Sequence, residues 1–172
     1  MNLCGTAVAA LFIFGTTSGF AGEIERGTES TECKEIVARL LAATDETFDH
    51  YSPSGENVFF RNRKGVLSCA GRRASISFTW DTGGFPPDEW FGLLAKAGKA
   101  VTGADLNGLM SASRECYRSA LKDKTELADI EIPSAKIQCR SFALDNGKMN
   151  ISIGMNDEGS SIKHVMGHKT KH

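Results

Sequence analysis

Three histidines near the C-terminus, His164, His168 and His172, recur at every fourth residue. On a helix that spacing would align three imidazoles for a divalent metal. The segment is basic, however, and no acidic or cysteine partner completes and orients the set, so neither a resident metal nor any other cofactor is expected. His50, beside Tyr51 and near Asp45 and Asp49, has the neighbours of a general base. A cation placed at a helix end, where the dipole favours it, would have the same neighbours. The stretch Gly92-Leu-Leu-Ala-Lys-Ala-Gly98-Lys99-Ala100 imitates a phosphate loop. It has five residues between its glycines, Ala100 where a hydroxyl would hold magnesium, and a helical setting, so Gly92 and Gly98 are read instead as sites of close helix packing. No Gly-x-Ser-x-Gly elbow, paired-acid motif or metalloprotease helix occurs.

Cations cluster on two turns, Arg61, Arg63 and Lys64 followed by Arg72 and Arg73, with Phe59, Phe60 and Phe85 nearby in sequence. Guanidinium groups suit phosphate or carboxylate, so an anionic envelope component or an acidic protein is the partner this cluster would fit. Charged turns also keep hairpin edges soluble, which is the competing reading. Across the whole chain 20 Lys and Arg nearly balance 21 Asp and Glu, so no global field draws the protein to nucleic acid.

The elements that must position these groups begin after an uncharged leader. Residues 1–21 carry no charge, Ala7 to Phe14 is apolar, and Gly19-Phe20-Ala21 offers the small residues that a signal peptidase needs. The apolar run is too short to span a bilayer, although the usual basic start is missing. Cleavage after Ala21 would leave Cys33, Cys69, Cys116 and Cys139, an even number with no Cys-x-x-Cys pair, which favours two disulfides in an exported protein, periplasmic or secreted. Residues 22–29 then read as a linker, 30–155 as a single domain, and 156–172 as a loosely held basic tail.

Within the domain, Cys33, Ile36, Val37, Leu40, Leu41, Thr44 and Phe48 recur at helical steps, opposite a solvated face of Glu32, Lys34, Glu35, Arg39 and Glu46, with a loop following from Asp49 to Gly55. Val58 to Arg61, Val66 to Ala70 and Ala74 to Trp80 alternate as strands of a meander; Leu67 opposite Ile76 turns Cys69 inward, within reach of Cys33. Pro87 opens a second helix, closed by Gly103, and Asp105 caps a third, with Leu106, Leu109, Met110, Ser113, Cys116, Tyr117, Ala120 and Leu121 on one face. Glu126 to Ile132 reads as a strand that Pro133 confines to an edge. Asn146-Gly147 then predicts a two-residue hairpin turn pairing Leu144 with Met149, Phe142 with Ile151 and Arg140 with Ile153. That register sets Cys139 on the face opposite Phe142 and Leu144, a conflict with any bond to the third helix unless both faces are covered or a bulge shifts the pairing.

Helix with inward cysteine, cysteine strand, then alternating strand occurs twice, which makes Cys33–Cys69 and Cys116–Cys139 the natural bridges of a degenerate duplication. The expected fold is α+β, an antiparallel sheet packed by about three helices. The expected function is an exported, non-enzymatic binding or adaptor protein. Two alternatives remain: an inhibitor presenting Gly83-Gly84-Phe85-Pro86-Pro87, and a small hydrolase using His50 and a nearby acid.

Overall fold

In the computed structural model, residues 27–62, 65–70, 73–142 and 148–156 are described. The leader, Arg63, Lys64, Arg72, the Asn146-Gly147 turn and the three tail histidines lie outside them. The chain enters through a 3-10 turn, Gly27–Glu29, whose Thr28 is buried and donates its N–H to Gly55 O at 2.7 Å, so packing starts ahead of Ser30. Helix α1 (Thr31–Ala43) follows, capped by Ser30, whose side chain accepts from Cys33 N. Strands β1 (Phe48–Tyr51), β2 (Asn57–Phe60), β3 (Val66–Ser68) and β4 (Ser75–Trp80) come next. Helices α2 (Asp88–Thr102) and α3 (Leu106–Lys122) lead to β5 (Leu127–Ile132), β6 (Ala135–Phe142) and β7 (Lys148–Gly154).

The seven strands form one antiparallel sheet in the order β1-β2-β3-β4-β7-β6-β5. Alternate residues of one face are buried: Val58, Phe60, Leu67, Ile76, Phe78, Ile137, Cys139, Met149, Ile151 and Ile153. The other face carries Ser75, Ser77, Thr79, Asn150 and Ser152 at the centre, the wet side of a half-covered sheet. Helix α2 packs over β4 and β7 with α1 and α3 on either side of it, while α3 covers β5 and β6. That central place explains its composition. Trp90, Phe91, Leu93, Leu94, Ala95, Ala97, Gly98, Ala100 and Val101 are all buried, and the small residues let neighbouring backbones approach. Arg39 Nε donates to Ala100 O at 3.0 Å, joining α1 to α2.

Cys33 bonds Cys69 and Cys116 bonds Cys139, the two bridges that the repeated pattern predicts. Each ties a helix to its own run of strands: α1 to the chain just after β3, α3 to β6.

Several expectations change. Thr44 ends α1 as its C-cap and Phe48 begins β1, so residues 48–51 are an exposed edge strand where the end of the helix and the start of a loop are expected. Glu46, assigned to a solvated face by extending the helix, is buried. Leu106 and Leu121, at the two ends of α3, are exposed. Gly98 does face a close neighbour, whereas a methyl group at Gly92 would meet nothing within 4 Å. The β6–β7 register also differs: Ser141 faces Met149, Cys139 faces Ile151 and Ile137 faces Ile153. The pairing ends at Phe142–Lys148. This puts Cys139 on the buried face beside Cys116 and removes the conflict without a second covered face. The core decides the register here: the expected pairing would have turned Ile137 and Cys139 to solvent.

Candidate functional site

The loop between β4 and α2 is built to hold its shape. Gly83 and Gly84 have φ values of 72° and 69°, the left-handed region that glycine enters without strain. Trp80 Nε1 reaches Gly83 O at 3.2 Å and Gly84 O at 3.1 Å. From the other side, Tyr117 of α3 donates its hydroxyl to Gly84 O at 2.9 Å. Tyr117 is buried, and burial pushes its hydroxyl pKa up, so it stays a donor. Pro86 is buried, and Pro87 is the N-cap of α2.

On one side of this loop lies a cleft of about 370 Å³ lined by Asn62, Thr79, Trp80, Asp81, Pro87, Glu89 and Trp90. The indoles of Trp80 and Trp90 meet at 5.8 Å between centroids, inclined by 64°, an edge-to-face pair. Asn62 is fixed at both ends of its amide, donating to Asp45 O and accepting from Thr47 Oγ1 at 3.1 Å. Thr79 Oγ1 accepts from Asn150 Nδ2 at 3.2 Å. Comparison with family models, curated proteins and solved structures finds no match.

On the other side, Phe85 is 50% exposed, yet it is packed between Phe91 and Tyr117 at 5.5 and 4.9 Å. Arg118 lies 5.5 Å over its ring. Arg114 pairs with Asp88 at 2.8 Å and borders a second hollow, of about 330 Å³, with Asn107, Met110, Ser111 and Arg118.

The residues that the sequence nominated are scattered. His50 stands on β1, where an edge strand replaces the expected helix end, and Asp49 Oδ2 lies 2.9 Å from its Nδ1. The imidazole stacks on Phe59 at 4.6 Å. The hydrogen bond with His50, and after it the one from Arg61, hold the Asp49 carboxyl below its ordinary range. An acid–imidazole pair therefore exists. Its side chains are 58% and 38% exposed, neither cleft beside the loop reaches it, and no hydroxyl or thiol among the described residues is bonded to the imidazole. Arg61 is engaged with Asp49 at 3.0 Å, and Arg73 is exposed. No group of three or more potential metal ligands occurs among the described residues, and no helix among them is long and apolar enough to cross a membrane.

Trp80, Asp81, Glu89 and Trp90 were read from the sequence only as parts of a strand, a loop and a helix. A signal was nonetheless present. Trp80-Asp81 and Glu89-Trp90 bracket the Gly-Gly-Phe-Pro-Pro turn as mirror-image pairs, and these are the chain's 2 tryptophans.

Proposed function

We propose that this chain is an exported, disulfide-stabilised binding protein without catalytic activity, and that the Trp80–Trp90 cleft is its binding site. Preorganisation is the observation that carries the proposal. Both indoles, the Asn62 amide and the glycine loop are held by contacts of their own, so a ligand entering the cleft would order little that is not already ordered. A volume of about 370 Å³ suits a small molecule or a single side chain of a partner. The two disulfides support export, because such bonds persist in oxidising compartments, and the uncharged leader ending at Ala21 agrees with that. An anionic envelope component is the weaker choice of partner, since Arg61 already engages Asp49.

Because both tryptophans line the cleft, intrinsic fluorescence reports its occupancy without a label. Titration with amines, amino acids, sugars and carboxylates should produce a saturable change for at least one class. No saturable change from any class, with the fold intact by circular dichroism, sinks the proposal. Export is checked by the intact mass of the processed chain, expected to begin at Gly22 and to carry no free thiol.

One observation favours a second reading, the inhibitor. The loop is clamped by Trp80 and Tyr117 while Phe85 stays half exposed, the form of a segment meant to enter another protein's cleft. A panel of secreted hydrolases tests it: inhibition of one of them should be lost in Phe85→Ala, and inhibition of none disposes of the idea.

A further inference from the structure

We infer that the ligand of the Trp80–Trp90 cleft is a cationic group on an apolar stem, an alkylammonium or alkylguanidinium, with Glu89 as its counter-ion. This rests on the cleft being a binding site, as proposed above. The first support is which polar groups are already engaged. Trp80 Nε1 is held by Gly83 O and Gly84 O, the Asn62 amide by Asp45 O and Thr47, and Thr79 Oγ1 accepts from Asn150. The Trp80 N–H and one of the two Asn62 N–H donors are thus spent within the fold, which narrows what could select a neutral or anionic ligand. Among the described residues lining the cleft, the charged ones are both acids, Asp81 and Glu89, and carboxylates can only accept. Glu89 is exposed at the first turn of α2. Its neighbour Asp88 is bound to Arg114 at 2.8 Å and is absent from the cleft lining.

The second support is the wall itself. Trp80, Trp90 and Pro87 give an apolar surface for a hydrocarbon stem, and the faces of indole rings attract cations. The N-terminal end of α2 would act in the opposite sense, because Pro87 offers no side-chain cap there and free amides would draw an anion. The exposed carboxylate of Glu89 already sits in that first turn, where it would oppose an incoming anion.

The test is tryptophan fluorescence titration of the full chain with n-butylammonium, n-butylguanidinium, n-butanol and butanoate, and with a tripeptide carrying a central lysine. The cations should saturate the signal. Glu89→Gln should weaken them about fivefold, the upper range for an exposed ion pair. Asp88→Asn, the same charge change one residue away, should not. Tighter binding of the tripeptide than of butylammonium assigns the cation to a protein partner; the reverse assigns it to a free amine. Equal binding of butanol overturns the cation assignment and leaves the cleft a ligand site. Tighter binding of butanoate overturns it in favour of the helix end, and equal weakening by Asp88→Asn overturns the role of Glu89. If none of the probes saturates the signal, the inference is overturned; whether the cleft binds anything at all is then decided by the wider panel above.

Discussion

Adding one methyl group at each of the two glycines of α2 should change stability in opposite directions. In a helix interior, glycine to alanine is worth about 0.5–1 kcal/mol in the helix's favour. At Gly92 the new Cβ would meet nothing within 4 Å, so Gly92→Ala should stabilise by that amount. At Gly98 it would lie 3.0 and 3.1 Å from two carbons of Ile153 and 3.3 Å from Leu109 Cδ2. Neither neighbour can swing away. Leu109 and Ile153 are fully buried, and Ile153 is flanked on β4 and β6 by the equally buried Ile76 and Ile137. Overpacking of this kind costs about 1–3 kcal/mol, which outweighs the helical gain and leaves Gly98→Ala destabilised by about 1 kcal/mol. The helical contribution cancels between the two variants, so their difference isolates the packing cost, about 2 kcal/mol. Urea unfolding with the disulfides intact should separate their midpoints by about 1 M for a slope near 2 kcal/mol per M. A Gly98→Ala protein as stable as Gly92→Ala would refute the claim that α2 sits in direct contact with β7 at this point.

Four further outcomes are expected. Non-reducing peptide mapping should give Cys33–Cys69 and Cys116–Cys139, and replacing either pair by alanine should cost about 3–4 kcal/mol in thermal or urea unfolding, from the sequence separations of 36 and 23 residues. Ser113 is fully buried in α3 with no partner for its hydroxyl, so Ser113→Ala should stabilise by about 1 kcal/mol in the same assay, and a loss would mean that the hydroxyl is satisfied. Tyr117→Phe should lose only about 1 kcal/mol, because Gly84 O keeps its bond from Trp80; as burial raises the Tyr117 pKa, the parent's stability should fall as pH rises above about 10, and that fall should shrink in the variant. Asp49 should titrate by NMR below its ordinary 3.8, so that what it contributes to holding β1 is present above that value and lost as pH falls through the lowered one; His50→Ala and Arg61→Ser should each raise the midpoint.

Much of the scaffold could be read from residue patterns because each pattern was local. Asp105 caps α3 by accepting from Gly108 N, and Gly103 closes α2 with φ 74°, both by chemistry confined to a few neighbouring residues. Leu67 opposite Ile76 followed from alternation across a short turn. The errors arose where a local signal competed with the core. Asn146-Gly147 is a strong turn signal, yet the strands join in the register that buries Ile137, Cys139, Met149, Ile151 and Ile153 together. Among the described residues, a two-residue loop occurs at Pro133-Ser134, between the paired Ile132 and Ala135. There Ser134 takes φ 67°, a conformation usually given to glycine or asparagine, so proline's fixed φ was the legible half of the turn and serine hid the other. In β1, Phe48 continues the helical spacing of α1 by coincidence, and its strand has no buried side, so no alternation marked it.

The candidate site was harder to read for a different reason, which the topology makes plain. Taken from the middle of the sheet outward, β4-β3-β2 on one side mirrors β7-β6-β5 on the other, and each trio has a helix bonded to its middle portion by a disulfide. Helix α2 and the loop before it have no counterpart in that arrangement: they connect the two halves and cover β4 and β7, the seam between them. Trp80 ends the first half and Trp90 lies in the connector, so the cleft exists only because the connector folds back over the strand it has just left. No spacing rule within a strand or a helix encodes that return. The repeated parts fix cysteines and registers, while the unrepeated connector, least constrained by them, carries Asp81, Glu89 and Trp90 and brings them against Trp80.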